Sequence, residues 1–164
     1  MKRIYIYIFI FLIFTGIIGI ASFFPLNYYG EIDKTSKKYE VDREIIYSVI
    51  KIESNFRESV VSHKGAIGLM QIMPPTGEWM AQTHNLPYSE KMLLDPVYNI
   101  KIGTLYLHYL MKRYDGNIEK VLIAYNAGPS RLKDGSWRKF KETRNYLRKY
   151  KITNFFYRIR LFFR

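Results

Sequence analysis

Glu53 is the residue whose position most needs a chemical reason. Ile45, Ile46, Val49 and Ile50 recur at helical spacing, and Glu53 follows Val49 by four residues and Ile50 by three. Its carboxyl therefore shares a stripe with aliphatic side chains. A carboxylate so placed is either a salt-bridged structural group or an acid that desolvation keeps protonated. The second is what a general acid needs when it protonates a poor leaving group near neutral pH. Two more segments set polar side chains against an apolar background: Gly68-Leu69-Met70-Gln71 and Ala124-Tyr125-Asn126.

The elements that must position these groups read as helices. Asp42 is a suitable N-cap for the helix carrying Glu53, which falls in its last turns, with Asn55 near its end. Gly65 and Gly68 break regularity before Leu69 to Met73, and Pro74-Pro75 stops that segment. Asp95-Pro96 starts a helix whose apolar stripe is Val97, Ile100, Leu107, Met111 and Tyr114, ended by Asp115-Gly116-Asn117. A further helix is expected from Ile118 to about Asn126, closed by Gly128-Pro129, and another from about Lys141. No stretch alternates as a strand would, so the expected fold class is all-α or nearly so.

The 164 residues are 48% hydrophobic and contain no cysteine. That composition suits one modest domain with its own core and excludes disulfides, thiol catalysis and cysteine-ligated zinc. His63, His84 and His108 have no paired ligand spacing, and neither metal nor cofactor is expected. After Lys2 and Arg3, Ile4 to Phe24 is uncharged and long enough to cross a bilayer. Residues 1–24 read as an uncleaved anchor, the alternative being a cleaved signal sequence, with everything after Pro25 outside the cytoplasmic membrane. Residues 25–31 read as a linker, 32–150 as the domain, and 151–164 as a basic aromatic tail.

Of 26 Lys and Arg, all but Lys2 and Arg3 lie beyond that N-terminal run, against 14 Asp and Glu. Anionic lipid or cell-wall polyanions are the expected partners, and the anchor argues against nucleic acid. The tail RKYKITNFFYRIRLFFR suits a membrane surface; the alternative is a C-terminal helix whose aromatics pack on the domain.

Taken in order, Glu53-Ser54, Gly68 to Gln71, Asn99-Ile100 with Gly103, Ala124 to Pro129, and Glu142-Thr143 with Tyr146 closely resemble a known domain. It is the lytic transglycosylase domain of the soluble lytic transglycosylase type, glycoside hydrolase family 23, related to goose-type lysozyme. The resemblance runs from about Ile32 to Tyr150. It implies a lysozyme-like helical domain acting on peptidoglycan. The implied reaction breaks the β-1,4 bond between N-acetylmuramic acid and N-acetylglucosamine without water, leaving a 1,6-anhydro sugar.

By the same resemblance the catalytic glutamate falls on Glu53, the active-site serine on Ser62, the tyrosine of the third motif on Tyr125, and the Gly-Leu-Met-Gln motif on Gly68 to Gln71. Gln71 and Asn126 offer amides to sugar hydroxyls, Met70 an apolar wall to a subsite, and Tyr125 a hydroxyl to an acetamido group or to Glu53. Glu142 and Tyr146 are supporting residues, Glu142 through a basic partner. Ser130 and Gly77 depart from the pattern, which more often has Gly and Ala there. The rival readings are a hydrolase of the same fold and a non-catalytic, membrane-anchored peptidoglycan-binding protein. A monomer is expected.

Overall fold

In the computed structural model the helices are, in chain order, α1 (Lys2–Phe23), α2 (Tyr29–Tyr39), α3 (Arg43–Glu53), α4 (Pro74–Thr83), α5 (Pro96–Arg113), α6 (Ile118–Ala127), α7 (Pro129–Lys133) and α8 (Lys141–Phe162). Two 3₁₀ segments, Glu90–Leu94 and Ser136–Lys139, join α4 to α5 and α7 to α8. The structure describes residues 2–164, with the side chains of Lys2, Arg3, Leu12, Ile13, Phe14 and Ile17 outside the description. Among the described residues no strand forms. Isolated antiparallel bridges pair Val61 with Ile67 and Ile67 with Ile72, folding the segment between α3 and α4 back on itself.

Two helices are apolar on most sides and are accordingly enclosed. In α3 every residue from Ile45 to Ile50 is buried, and in α5 Ile100, Ile102, Leu105, Leu107 and Leu110 are fully buried. α8 packs along α3, α2 lies on α5 and α3, and α6 bridges α5 and α8. α2 begins at Tyr29, within the segment read as a linker, and Ile32 is completely buried.

The local signals act through different atoms. Asp95 accepts a hydrogen bond from the Tyr98 amide at 2.7 Å, and Asn117 accepts from the Lys120 amide at 3.1 Å, so both cap their helices with side chains. Asp42 holds the N-cap position of α3 without a side-chain cap bond. Its carbonyl accepts the amides of Ile45 and Ile46 instead. Pro74-Pro75 ends the loop as expected but also opens α4, where the missing amide protons of a first turn cost nothing. Val97 lies off the buried stripe of α5 at 44% exposed; that stripe begins at Asn99.

Among the described residues no helix is long and apolar enough to cross a membrane. The anchor expected over residues 1–24 includes Leu12, Ile13, Phe14 and Ile17, whose side chains lie outside the described residues.

Candidate active site

Glu53 is the last residue of α3, at the floor of a cleft of about 430 Å3. The cleft lies between the 57–73 loop, the C-terminal end of α6 and the first turns of α8. Its walls include Ser62, Gln71, Tyr125, Asn126, Glu142 and Tyr146. A second hollow of about 460 Å3 continues it past Tyr125 and Asn126 toward Tyr106 and Ser130. Lys64, Gln71, Met73, Tyr125 and Asn126 line both, so the two form one groove with Glu53 at one part of its length. An extended ligand could lie along it on both sides of a reacting bond.

Burial raises the Glu53 carboxyl to a pKa of about 7, and the nearby charge of Glu142 pushes the same way. The Tyr146 hydroxyl and the Lys149 ammonium oppose the rise, since both favour the carboxylate. The Tyr146 hydroxyl is buried without a hydrogen bond of ordinary geometry; it borders the carboxyl rather than clamping it. Burial and the adjoining Glu53 charge hold both the Tyr125 and Tyr146 phenols well above their usual range, so these stay neutral hydroxyls. At neutral pH, then, Glu53 is divided between an acid that can give a proton and a base that can take one.

The loop opposite Glu53 is built by short-range bonds. Ser62 Oγ accepts the amides of Ala66 at 3.0 Å and Lys64 at 3.3 Å, which leaves its hydroxyl hydrogen as what it can offer the cleft. Gln71, at φ 49, donates from Nε2 to the carbonyls of Gly68 at 2.9 Å and Val60 at 3.1 Å. Both its amide hydrogens are used, so toward a ligand it presents only the acceptor Oε1.

Met70 and Gly68 belong to the framework under the cleft. The Met70 side chain is fully buried and fills the space that Gly103 leaves. A Cβ on Gly103 would stand 2.3 Å from the Met70 sulfur. The expected apolar subsite wall is therefore not the Met70 thioether; Met73 and Ile52 line the cleft in that capacity. The Met70 backbone does serve the site, because its carbonyl accepts the Tyr125 hydroxyl at 2.8 Å.

Gly68 has φ 79, and a Cβ there would lie 2.3 Å from Asn99 Nδ2 and 2.5 Å from the Leu93 carbonyl oxygen. Asn99 is buried and ties the loop to α5. Its Oδ1 accepts the Met70 amide at 2.8 Å, and its Nδ2 donates to the carbonyls of Ile67 at 2.9 Å and Leu93 at 2.8 Å.

Glu142, expected as a supporting residue with a basic partner, lines the cleft and pairs with Lys64 at 3.2 Å. Both side chains are more than half exposed, so the pair sits at the solvent-facing edge of the cleft and adds little stability. Asn126 faces the groove from within α6, whose C-terminal end is capped at Gly128 as expected. Sequence reasoning missed Lys149, Asn145, His63 and Lys64, all in the cleft wall. A signal existed for two of them: Glu142, Asn145, Tyr146 and Lys149 follow helical spacing on one face of α8. His63 and Lys64 sit in an irregular loop, where periodicity carries no information.

A profile of the transglycosylase SLT domain matches residues 30–148. The soluble lytic murein transglycosylase of Escherichia coli K12 is 38% identical over 112 residues, covering 67% of this chain and 17% of the relative. Its counterpart in Salmonella typhimurium LT2 is 34% identical over the same length. The chain thus spans about a sixth of the curated relatives it matches.

Among solved structures, the 70 kDa soluble lytic transglycosylase of E. coli superposes with a TM-score of 0.80 at 31% identity, over 87% of this chain and 26% of that one. The same enzyme in complex with bulgecin A gives 0.81 at 30% identity, with the same coverage. Lytic transglycosylase Slt of Pseudomonas aeruginosa, solved as an inactive Glu-to-Gln mutant, gives 0.78 at 28%, over 84% of this chain and 25% of that one.

Proposed function

This chain belongs to the transglycosylase SLT domain family, and we propose that it cleaves the β-1,4 bond between N-acetylmuramic acid and N-acetylglucosamine in peptidoglycan, forming 1,6-anhydro-muramic acid. The observation that carries the proposal is Glu53, recessed in a groove with its pKa raised to about 7. Protonated Glu53 donates to the glycosidic oxygen as the bond to the anomeric carbon breaks. The resulting carboxylate takes the proton of the muramic acid 6-hydroxyl as that oxygen bonds to the anomeric carbon. One residue, poised near neutrality, performs both transfers. The substrate's own N-acetyl group stabilises the cationic centre, as in substrate-assisted glycosidases.

The P. aeruginosa relative, inactive as a Glu-to-Gln mutant, supports a reaction that depends on a glutamate, and the E. coli relative was solved in complex with bulgecin A. A hydrolytic reaction on the same bond is the second reading, favoured by Glu142, a further carboxylate in the cleft wall. The ion pair of Glu142 with Lys64 at the mouth argues against its acting as a base.

The test is digestion of isolated peptidoglycan with mass spectrometry of the products, beside Glu53→Gln. Anhydromuropeptides lost in the variant are expected. Products heavier by one water would establish hydrolysis, and no products from either protein would leave a binding protein.

For location, we read α1 as a membrane anchor with the domain on the extracytoplasmic side. Ile4 to Phe11 are each at least half exposed, a run of apolar surface that water does not favour. Retention of the protein in carbonate-washed membranes is the expected result.

A further inference from the structure

α8 runs to Phe162, well past the cleft, and its far half has two unlike sides. One side is packed. Phe156 stacks on Phe24 with centroids 4.7 Å apart, Tyr157 stacks on Tyr47 at 5.0 Å, and the Tyr157 hydroxyl donates to the Pro25 carbonyl at 3.4 Å. The end of α8 is thereby fixed against the residues that directly follow α1.

The other side carries large apolar groups in the open. Ile152 is 61% exposed, Phe155 59%, Phe162 83% and Phe163 79%. At 1.5 Å per residue they extend over about 16 Å of helix. Lys151 and Arg158 stand among them, lining a shallow groove with Asn154 and Ile159. No acidic residue follows Glu142, whereas Arg144, Arg148, Lys149, Lys151, Arg158, Arg160 and Arg164 do.

We propose that this face of α8, from Lys151 to Phe163, is a docking surface for an anionic lipid bilayer. Each alternative occupant uses half of what is displayed. A neutral protein surface would bury the aromatics and leave the cations without counter-charge, and a soluble wall polyanion would satisfy the cations and leave the apolar side chains in water. The boundary between acyl chains and anionic headgroups takes both, aromatics inward and Lys and Arg toward phosphate. The packing of Phe24 under Phe156 supplies proximity, and for that step the inference rests on the reading of α1 as an anchor. Docking would then give the domain a second attachment to the membrane, along the far half of α8 and beside the one at α1.

The chain has no cysteine, so single labels are unambiguous. An environment-sensitive fluorophore is placed on Phe163→Cys to read docking, on Ile8→Cys to read the anchor, and on Gln82→Cys of α4 as a control. The full chain is reconstituted in phosphatidylcholine vesicles with or without phosphatidylglycerol.

The Phe163→Cys label should shift to the blue and be quenched by lipid-borne nitroxide only in the anionic vesicles, the Gln82→Cys label in neither. Lys151→Gln with Arg158→Gln should lower the docked-to-undocked ratio about 30-fold, from roughly 5-fold per basic residue at an anionic surface. A Phe163→Cys label that stays in water while the Ile8→Cys label is immersed overturns the proposal. So does equal docking to both vesicle types, or a shift without nitroxide quenching. Docking with the Ile8→Cys label in water would uphold this proposal and refute the anchor.

Discussion

Replacing Glu53 by Gln should make the protein more stable, but only where Glu53 would otherwise be ionised. The carboxyl has a pKa of about 7 in the folded chain against a reference of 4.5. Below about pH 4.5 it is protonated in both states and costs nothing. Between the two values the unfolded chain releases a proton that the folded chain retains, so stability falls as pH rises. Above about pH 7 the loss is complete. At 1.36 kcal/mol per pKa unit it amounts to about 3 kcal/mol, an upper figure because cleft water screens the charge.

Gln is a neutral near-isostere of the protonated acid and carries no such penalty. Chemical denaturation of both proteins at pH 4.5 and pH 8, followed by tryptophan fluorescence, should show little difference at the lower pH. At pH 8 the variant should gain about 1–3 kcal/mol, or some 2–10 °C in a thermal scan. An equal effect at both pH values would mean that packing, not ionisation, separates the two side chains. A variant less stable at pH 8 would mean that Glu53 is ionised and well paired, the structural role that its position in the sequence leaves open.

Activity on peptidoglycan should follow the protonated fraction of Glu53, falling about 10-fold between pH 6 and pH 8 around a midpoint near 7. Lys149→Met removes a cation that favours the carboxylate, so the alkaline limb should move to higher pH; an unmoved limb would separate Lys149 from the acid. Gly68→Ala forces a Cβ against Asn99 and the Leu93 carbonyl at φ 79 and should cost about 3 kcal/mol or more in denaturant unfolding. Asn99→Leu strips three buried hydrogen bonds from the loop that holds Gln71. It should lower stability by about 3–5 kcal/mol, whereas Gln82→Ala on the surface should be near neutral.

Helices whose signals are local were legible in advance. Asp95-Pro96 and the Asn117 cap act within one turn, through hydrogen bonds that the nearest residues supply, and α5 and α6 begin there. The apolar periodicity of α3 likewise put Glu53 on a buried stripe. Pro74-Pro75 shows the limit of such signals, since a proline pair that stops one segment equally suits the first turn of the next. Met70 shows another, because an apolar residue beside a polar cluster can serve as wall or as foundation. The choice went to foundation because α5 offers Gly103 opposite it.

Residues within a few positions of one another were thus enough to specify the helical class, the start of α5, the span of α6 and the out-of-pattern carboxyl. Tertiary structure alone decided what surrounds that carboxyl. Tyr125, Tyr146 and Lys149 reach Glu53 from α6 and α8, and Lys64 crosses to Glu142 over 78 residues of chain. Desolvation and charge act through space, so the pKa of Glu53 was set only when α3, α6 and α8 closed around it.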